Sequence, residues 1–302
     1  MMMTRNCRVP QVILAAFCIG LFSVAGTVDP SVAHAKRTAG KSRHVQTVNH
    51  EDRSVPWRRV PAHSILLKDL NSGRVLYEHE PGKRLSPASL TKIMSALVIL
   101  EQGKLDDLVT VSPTASRAPK THLRLKAGQV FKLEDLLKAM LIVSANDACL
   151  AAVEHVGGDE AQFVELMNAK AAALGLHDTH FSNGCGFDGP EHYSTAEDLA
   201  ALSVIALQQP TFRTLVREER AMIMPVNGNH ALVLHTTNRL LGRIPGVEGV
   251  KTGFTSKAGR CLIAKVSQNG SELLLVILNS NRRWNTATSL INYGLKASGA
   301  SS

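Results

Sequence analysis

The chain has 302 residues, 44% of them hydrophobic and 20% charged, with a net charge of +9. That length and balance exclude a wholly disordered chain and leave room for one large domain or two small ones with a sizeable core. Beyond one short N-terminal stretch no long apolar run occurs, so nothing in the sequence suggests a bundle of spanning helices.

The first element is a targeting segment. Arg5 and Arg8 precede an apolar stretch at residues 12–24, and Ala33-His34-Ala35 supplies an A-x-A cleavage pattern. This reads as a secretory signal peptide over residues 1–35, with an uncleaved anchor as the alternative. Phe17, just before Cys18, argues against a lipoprotein signal. Residues 36–59 carry Lys36, Arg37, Lys41, Arg43, Arg53, Arg58 and Arg59 against Glu51 and Asp52, a net +5 with little apolar content. They read as a basic disordered linker suited to an anionic cell surface. An export signal makes a nucleic-acid partner a poor fit.

Residues 60–297 are expected to form the packed domain, followed by a short tail at 298–302 and no C-terminal membrane anchor. Ser64-Ile65-Leu66-Leu67 and Val75-Leu76-Tyr77 flank Asn71-Ser72-Gly73 and predict a hairpin. Leu90, Ile93, Met94, Leu97, Val98 and Leu100 recur at helical spacing up to Gly103. Further helices are predicted over 132–143, 147–156, 160–174, 195–207 and 211–218. Strands return at 249–254 and in a hairpin, 261–266 with 272–278, around Gln268-Asn269-Gly270. A helix over 284–295 closes the domain. Strands at both ends with helices between predict a mixed α/β domain whose sheet joins the chain ends.

Three short clusters carry chemistry. Ser89-Leu90-Thr91-Lys92 opens an apolar helix, so residues three apart share a face and Lys92 can reach Ser89. A serine hydroxyl needs a neighbouring base to act as a nucleophile, and desolvation lowers a lysine pKa enough to make it one. Ser144-Ala145-Asn146 lies at a break between two apolar helices; it is either a capping device or a proton relay at Ser144 with Asn146 bonding Lys92 and a substrate amide. Lys251-Thr252-Gly253 sits in a strand, where glycine allows close approach of a ligand backbone and Lys251 and Thr252 suit a carboxylate. Ser267-Gln268-Asn269 repeats the middle pattern in a hairpin turn. In this order, S-x-x-K, S-x-N and K-T-G resemble the set of class A β-lactamases and penicillin-binding proteins, whose middle member is S-D-N.

After cleavage three cysteines remain, Cys149, Cys185 and Cys261, which permit one disulfide at most with its pairing open. Cys149 and Cys261 read most simply as buried small hydrophobes. The histidines are scattered, with solvated or capping roles expected, and no metal site or cofactor is predicted.

From residue 62 to 295 the chain resembles the low-molecular-mass penicillin-binding proteins of the serine D-alanyl-D-alanine carboxypeptidase family. The resemblance rests on the segment Pro87 to Met94, on His192-Tyr193-Ser194-Thr195-Ala196-Glu197-Asp198, and on Gly249 to Thr255 with Ala258-Gly259. It implies a penicillin-recognising, β-lactamase/transpeptidase-like α/β fold, with an antiparallel sheet packed between helices and a helical subdomain. It implies acyl transfer from peptidoglycan stem peptides to Ser89, an oxyanion hole from the N–H groups of Ser89 and Phe254, and β-lactams as covalent inhibitors. Arg283, or Arg282 beside it, stands where the family often has a carboxylate-binding arginine. The family often has histidine near Cys185. A class A β-lactamase would need a glutamate with asparagine four residues on, and no such pair lies between Ser144 and Lys251. A DD-endopeptidase cutting cross-links, or a non-catalytic peptidoglycan-binding protein of the same fold, are the alternatives.

Overall fold

The computed structural model describes residues 61–299; the predicted signal peptide and basic linker lie outside the described residues. In chain order these residues form β1 (Ala62–Asp69), β2 (Val75–His79) and a 3-10 turn (Ala88–Thr91) that runs into α1 (Lys92–Gln102). Then come β3 (Leu108–Thr110), α2 (Pro113–Ser116), β4 (Val130–Lys132), α3 (Leu133–Ile142), α4 (Asn146–Gly157), α5 (Glu160–Ala173), α6 (Ala196–Gln208) and α7 (Pro210–Leu215). The chain closes with β5 (Arg220–Ile223), β6 (Leu232–His235), β7 (Val247–Thr255), β8 (Gly259–Gln268), β9 (Ser271–Ser280) and α8 (Arg283–Gly299).

The main sheet has the order β2-β1-β9-β8-β7 and its neighbours are antiparallel. Both chain ends therefore meet in one sheet, as the strand distribution predicts. β9 shows why the sheet is covered on both faces. Successive side chains in a strand point to opposite sides. Leu273, Leu275 and Ile277 join Leu290 and Ile291 of α8 in one apolar cluster. Leu274, Val276 and Leu278 join the helical half instead, with Leu97, Leu137 and Phe163. A run of six apolar residues is what a two-sided environment requires.

Helix starts follow local chemistry. Asp159 accepts from the Gln162 N–H at 2.8 Å and opens α5, and Thr195 accepts from the Asp198 N–H at 3.0 Å and opens α6. The two small hairpins, β3 with β4 and β5 with β6, and the one-turn α2 have no counterpart in the sequence-based expectations. Their strands are three or four residues long, too short for a period-2 pattern to register. α7 ends at Leu215 rather than near Glu218, and α8 runs on to Gly299.

Candidate active site

Ser89 sits on the 3-10 turn at the mouth of α1. Ala88 before it adopts a left-handed conformation, φ 50°, and the Thr91 hydroxyl donates to the Ala88 carbonyl at 2.8 Å. The turn leaves Ser89 half-buried and Lys92 fully buried. Lys92 Nζ lies 3.2 Å from Ser89 Oγ. It donates to Asn146 Oδ1 at 2.8 Å and to the Cys185 carbonyl at 2.5 Å. A neutral amine has two N–H bonds and one lone pair. Here two acceptors take the hydrogens, and the remaining direction faces the serine hydroxyl. Burial first, then the nearby charge of Lys251, pushes the Lys92 amine well below its ordinary pKa.

The break between α3 and α4 places the second cluster. Ser144 lies in the left-handed region, φ 63°, and α4 starts with no side-chain cap, so this is not a capping device. Asn146 meets Lys92 as expected. Its amide nitrogen, however, donates to the Pro119 and Lys120 carbonyls, each at 2.8 Å. Both hydrogens of this amide bond the loop between α2 and β4. Asp147, not singled out in the sequence, holds the same loop by accepting from the Leu123 and Leu125 N–H groups at 2.9 and 3.0 Å.

β7 closes the third side. Lys251 is buried, and its Nζ donates to Ser144 Oγ at 2.8 Å and to the Thr252 carbonyl at 3.0 Å. Burial, with a smaller push from the Arg283 charge, brings its pKa down to about 7. The Thr252 hydroxyl pairs with that of Thr237 at 2.6 Å, a partner the sequence did not announce. Gly253 is needed by the protein itself: a Cβ there would stand 3.1 Å from the Pro87 carbonyl and 3.2 Å from the Ser89 nitrogen. The Pro87–Ser89 segment uses that close approach. Phe254 is 58% exposed at the end of the strand, with the Arg260 guanidinium 5.7 Å from its ring centre.

Arg283 lies behind this strand. Its Nη1 donates to the Gly253 carbonyl at 2.8 Å and to the Cys261 carbonyl at 2.9 Å, and its guanidinium stacks 4.4 Å from the Trp284 ring centre. Its Nε is buried without a hydrogen-bond partner. Arg282 is exposed. The structure thus gives Arg283 a bracing role on β7 and β8, beside any role toward a carboxylate.

Two sequence-based expectations are corrected. Cys149 is not simply a small buried hydrophobe: it forms a disulfide with Cys185. Cys261 does remain a free, buried thiol, and burial pushes its pKa up to about 11. His192 is neither solvated nor a cap. It is buried beneath the Ala88–Thr91 turn, with Nδ1 accepting from the Ser182 N–H at 3.0 Å and Nε2 2.8 Å from Thr91 Oγ1. A backbone N–H only donates, so the neutral Nε2–H tautomer is selected and donates to Thr91. Burial holds this ring down to about 4. Among the described residues no cluster of three or more His, Cys, Asp or Glu side chains could hold a metal ion.

The site thus joins Ser89, Lys92, Ser144, Asn146, Lys251 and Thr252 from three elements far apart in sequence. Residues 47–282 match the peptidase S11 family, described as D-alanyl-D-alanine carboxypeptidase. The D-alanyl-D-alanine carboxypeptidase DacF of Bacillus subtilis is 34% identical over 232 residues, 73% of this chain and 58% of that protein. DacC of Escherichia coli is 34% identical over 255 residues, 78% of this chain and 62% of that protein. The chain thus spans about three fifths of the length of these two relatives. The crystal structure of a D-alanyl-D-alanine carboxypeptidase from Mycobacterium tuberculosis superposes with a TM-score of 0.75 at 31% identity, covering 80% of this chain and 94% of that one. The chain belongs to the D-alanyl-D-alanine carboxypeptidase family, peptidase S11, and has the penicillin-recognising α/β fold of its DD-peptidase neighbours.

Proposed function

We propose that this protein is a serine hydrolase that removes the terminal D-alanine from peptidoglycan stem peptides, with Ser89 as nucleophile. The observation that carries the reading is the fully buried Lys92 amine 3.2 Å from the half-buried Ser89 hydroxyl. Lys92 takes the hydroxyl proton as Ser89 Oγ bonds to the carbonyl carbon between the two D-alanines. The N–H groups of Ser89 and Phe254 receive the developing oxyanion. Collapse breaks the peptide bond, and a proton delivered through Ser144 leaves with the D-alanine amine. Water then cleaves the acyl-serine. Lys251 and Thr252, beside Gly253 on β7, receive the substrate carboxylate, and Arg283 braces that strand from behind.

By the same reading the protein acts outside the cytoplasmic membrane, exported by residues 1–35, with residues 36–59 as a spacer before the catalytic domain. β-Lactams mimic the D-Ala-D-Ala amide and acylate Ser89. The test is intact mass after incubation with benzylpenicillin, for wild type and Ser89→Ala, followed by D-alanine release from an N-acyl-Lys-D-Ala-D-Ala peptide. One adduct and D-alanine release from wild type only is the expected outcome. A folded wild type that takes no adduct overturns the reading.

A further inference from the structure

We infer that the Cys149–Cys185 disulfide is a positioning device for the catalytic base, holding the two acceptors that aim the Lys92 amine at Ser89. The inference rests on the acyl-serine reading above. Those acceptors, Asn146 Oδ1 and the Cys185 carbonyl, are 2.8 and 2.5 Å from Nζ. One lies at the first residue of α4, the other on the 183–187 loop. Nothing in the local sequence ties these two segments together. The bridge does, because Cys149 is one turn along α4 from Asn146 and its partner is the residue that supplies the carbonyl.

The rest of the loop is built to keep that carbonyl still. Asn183 Oδ1 accepts from the N–H groups of Cys185, Gly186 and Phe187 at 3.2, 2.7 and 2.9 Å. The Gly184 carbonyl accepts from Ser95 Oγ at 2.5 Å, and Ser95 is one turn along α1 from Lys92. Gly186, at φ 83°, has no room for a side chain, since a Cβ would overlap the Ala88 carbonyl beside the nucleophile. So α1, α4 and the loop converge on one amine, and the only covalent tie among them joins the two acceptor-bearing segments. The bridge is itself buried, with Cys149 and Cys185 at 0% and 1% exposure. It lies in the same water-excluded region as the amine, which is 0% exposed. Lys251 on β7 is the charged group that acts on Lys92, and His192 lies near it from the segment before α6.

The test is the Cys149→Ala/Cys185→Ala double variant, with Cys149→Val/Cys185→Ala as a volume-filling second version. Thermal melting identifies the folded variant, and stopped-flow acylation by a penicillin is followed across pH. The proposal expects the maximal acylation rate to fall about 10- to 100-fold, as a displaced catalytic group does. It also expects the acid limb of the rate profile to move to higher pH, because a wetter Lys92 regains basicity. Penicillin binding before acylation should change little. A folded variant with the wild-type rate and acid limb overturns the inference while leaving the acyl-serine reading intact. Failure of both variants to melt cooperatively also overturns it, making the bridge a fold staple. A wild type that forms no adduct overturns the parent reading instead.

Discussion

The two faces of the main sheet use burial for opposite ends. Under α8, Leu273, Leu275 and Ile277 meet Leu290 and Ile291, and the cluster is apolar throughout. Toward the helical half, the sheet edge and the α1 and α4 helix starts enclose two lysines, at 0% and 1% exposure for Lys92 and Lys251. On the first face, removing water stabilises the fold. On the second, it penalises the charged amines and pushes both of their pKa values down. Identical burial thus builds a core on one side and sets proton affinities on the other.

The sharpest way to test that contrast is Lys92→Met. It keeps the apolar stem and deletes the base, so acylation by penicillin should fall about 10³- to 10⁴-fold, near the upper range for general-base catalysis. Single-turnover acylation kinetics measure it, and a loss under tenfold would mean that another group takes the Ser89 proton. On the α8 face the expectation reverses. Ile277→Ala should cost about 2–5 kcal/mol in urea unfolding, while the acylation constant of the folded protein stays at the wild-type value. A catalytic defect there would show that the two faces are not separable.

His192 supplies the smaller, pH-dependent test. Its folded-state pKa of about 4 lies below the ordinary histidine value, so the native state favours the neutral ring. The stability it contributes is full above about pH 6.5 and is lost as the pH falls toward 4. That loss is on the order of 3 kcal/mol in the wild type. His192→Gln should flatten the wild-type fall in melting temperature over this window. Parallel curves for the two proteins would remove the buried-imidazole account.

Several features of the site were legible because they are local. Ser89 and Lys92 are three residues apart at a helix start, and the helix that follows is visible in the apolar spacing from Leu90 to Leu100. The hairpin of 261–266 with 272–278 was legible from its flanking of Gln268-Asn269-Gly270, and it is the β8–β9 pair. K-T-G had to lie in a strand with a close neighbour, although the neighbour turned out to be the Pro87–Ser89 segment.

What local pattern could not encode are pairings across long stretches of chain. Lys251 reaches Ser144 over 107 residues, and Thr237 meets Thr252 only because β7 and the segment after β6 fold together. The Asn146 amide nitrogen bonds the Pro119 and Lys120 carbonyls, partners 27 and 26 residues away that no local pattern names. Three cysteines allow three pairings, and the choice of Cys149 with Cys185 depends on where α4 places one sulfur relative to a loop 36 residues later. By itself the sequence determined the mixed α/β class and the pairing of Ser89 with Lys92 at a helix start, since periodicity and short-range spacing carry that information. The tertiary structure alone decided which groups surround the Lys92 amine, because hydrogen bonds and a disulfide between distant segments depend on packing that no single segment specifies.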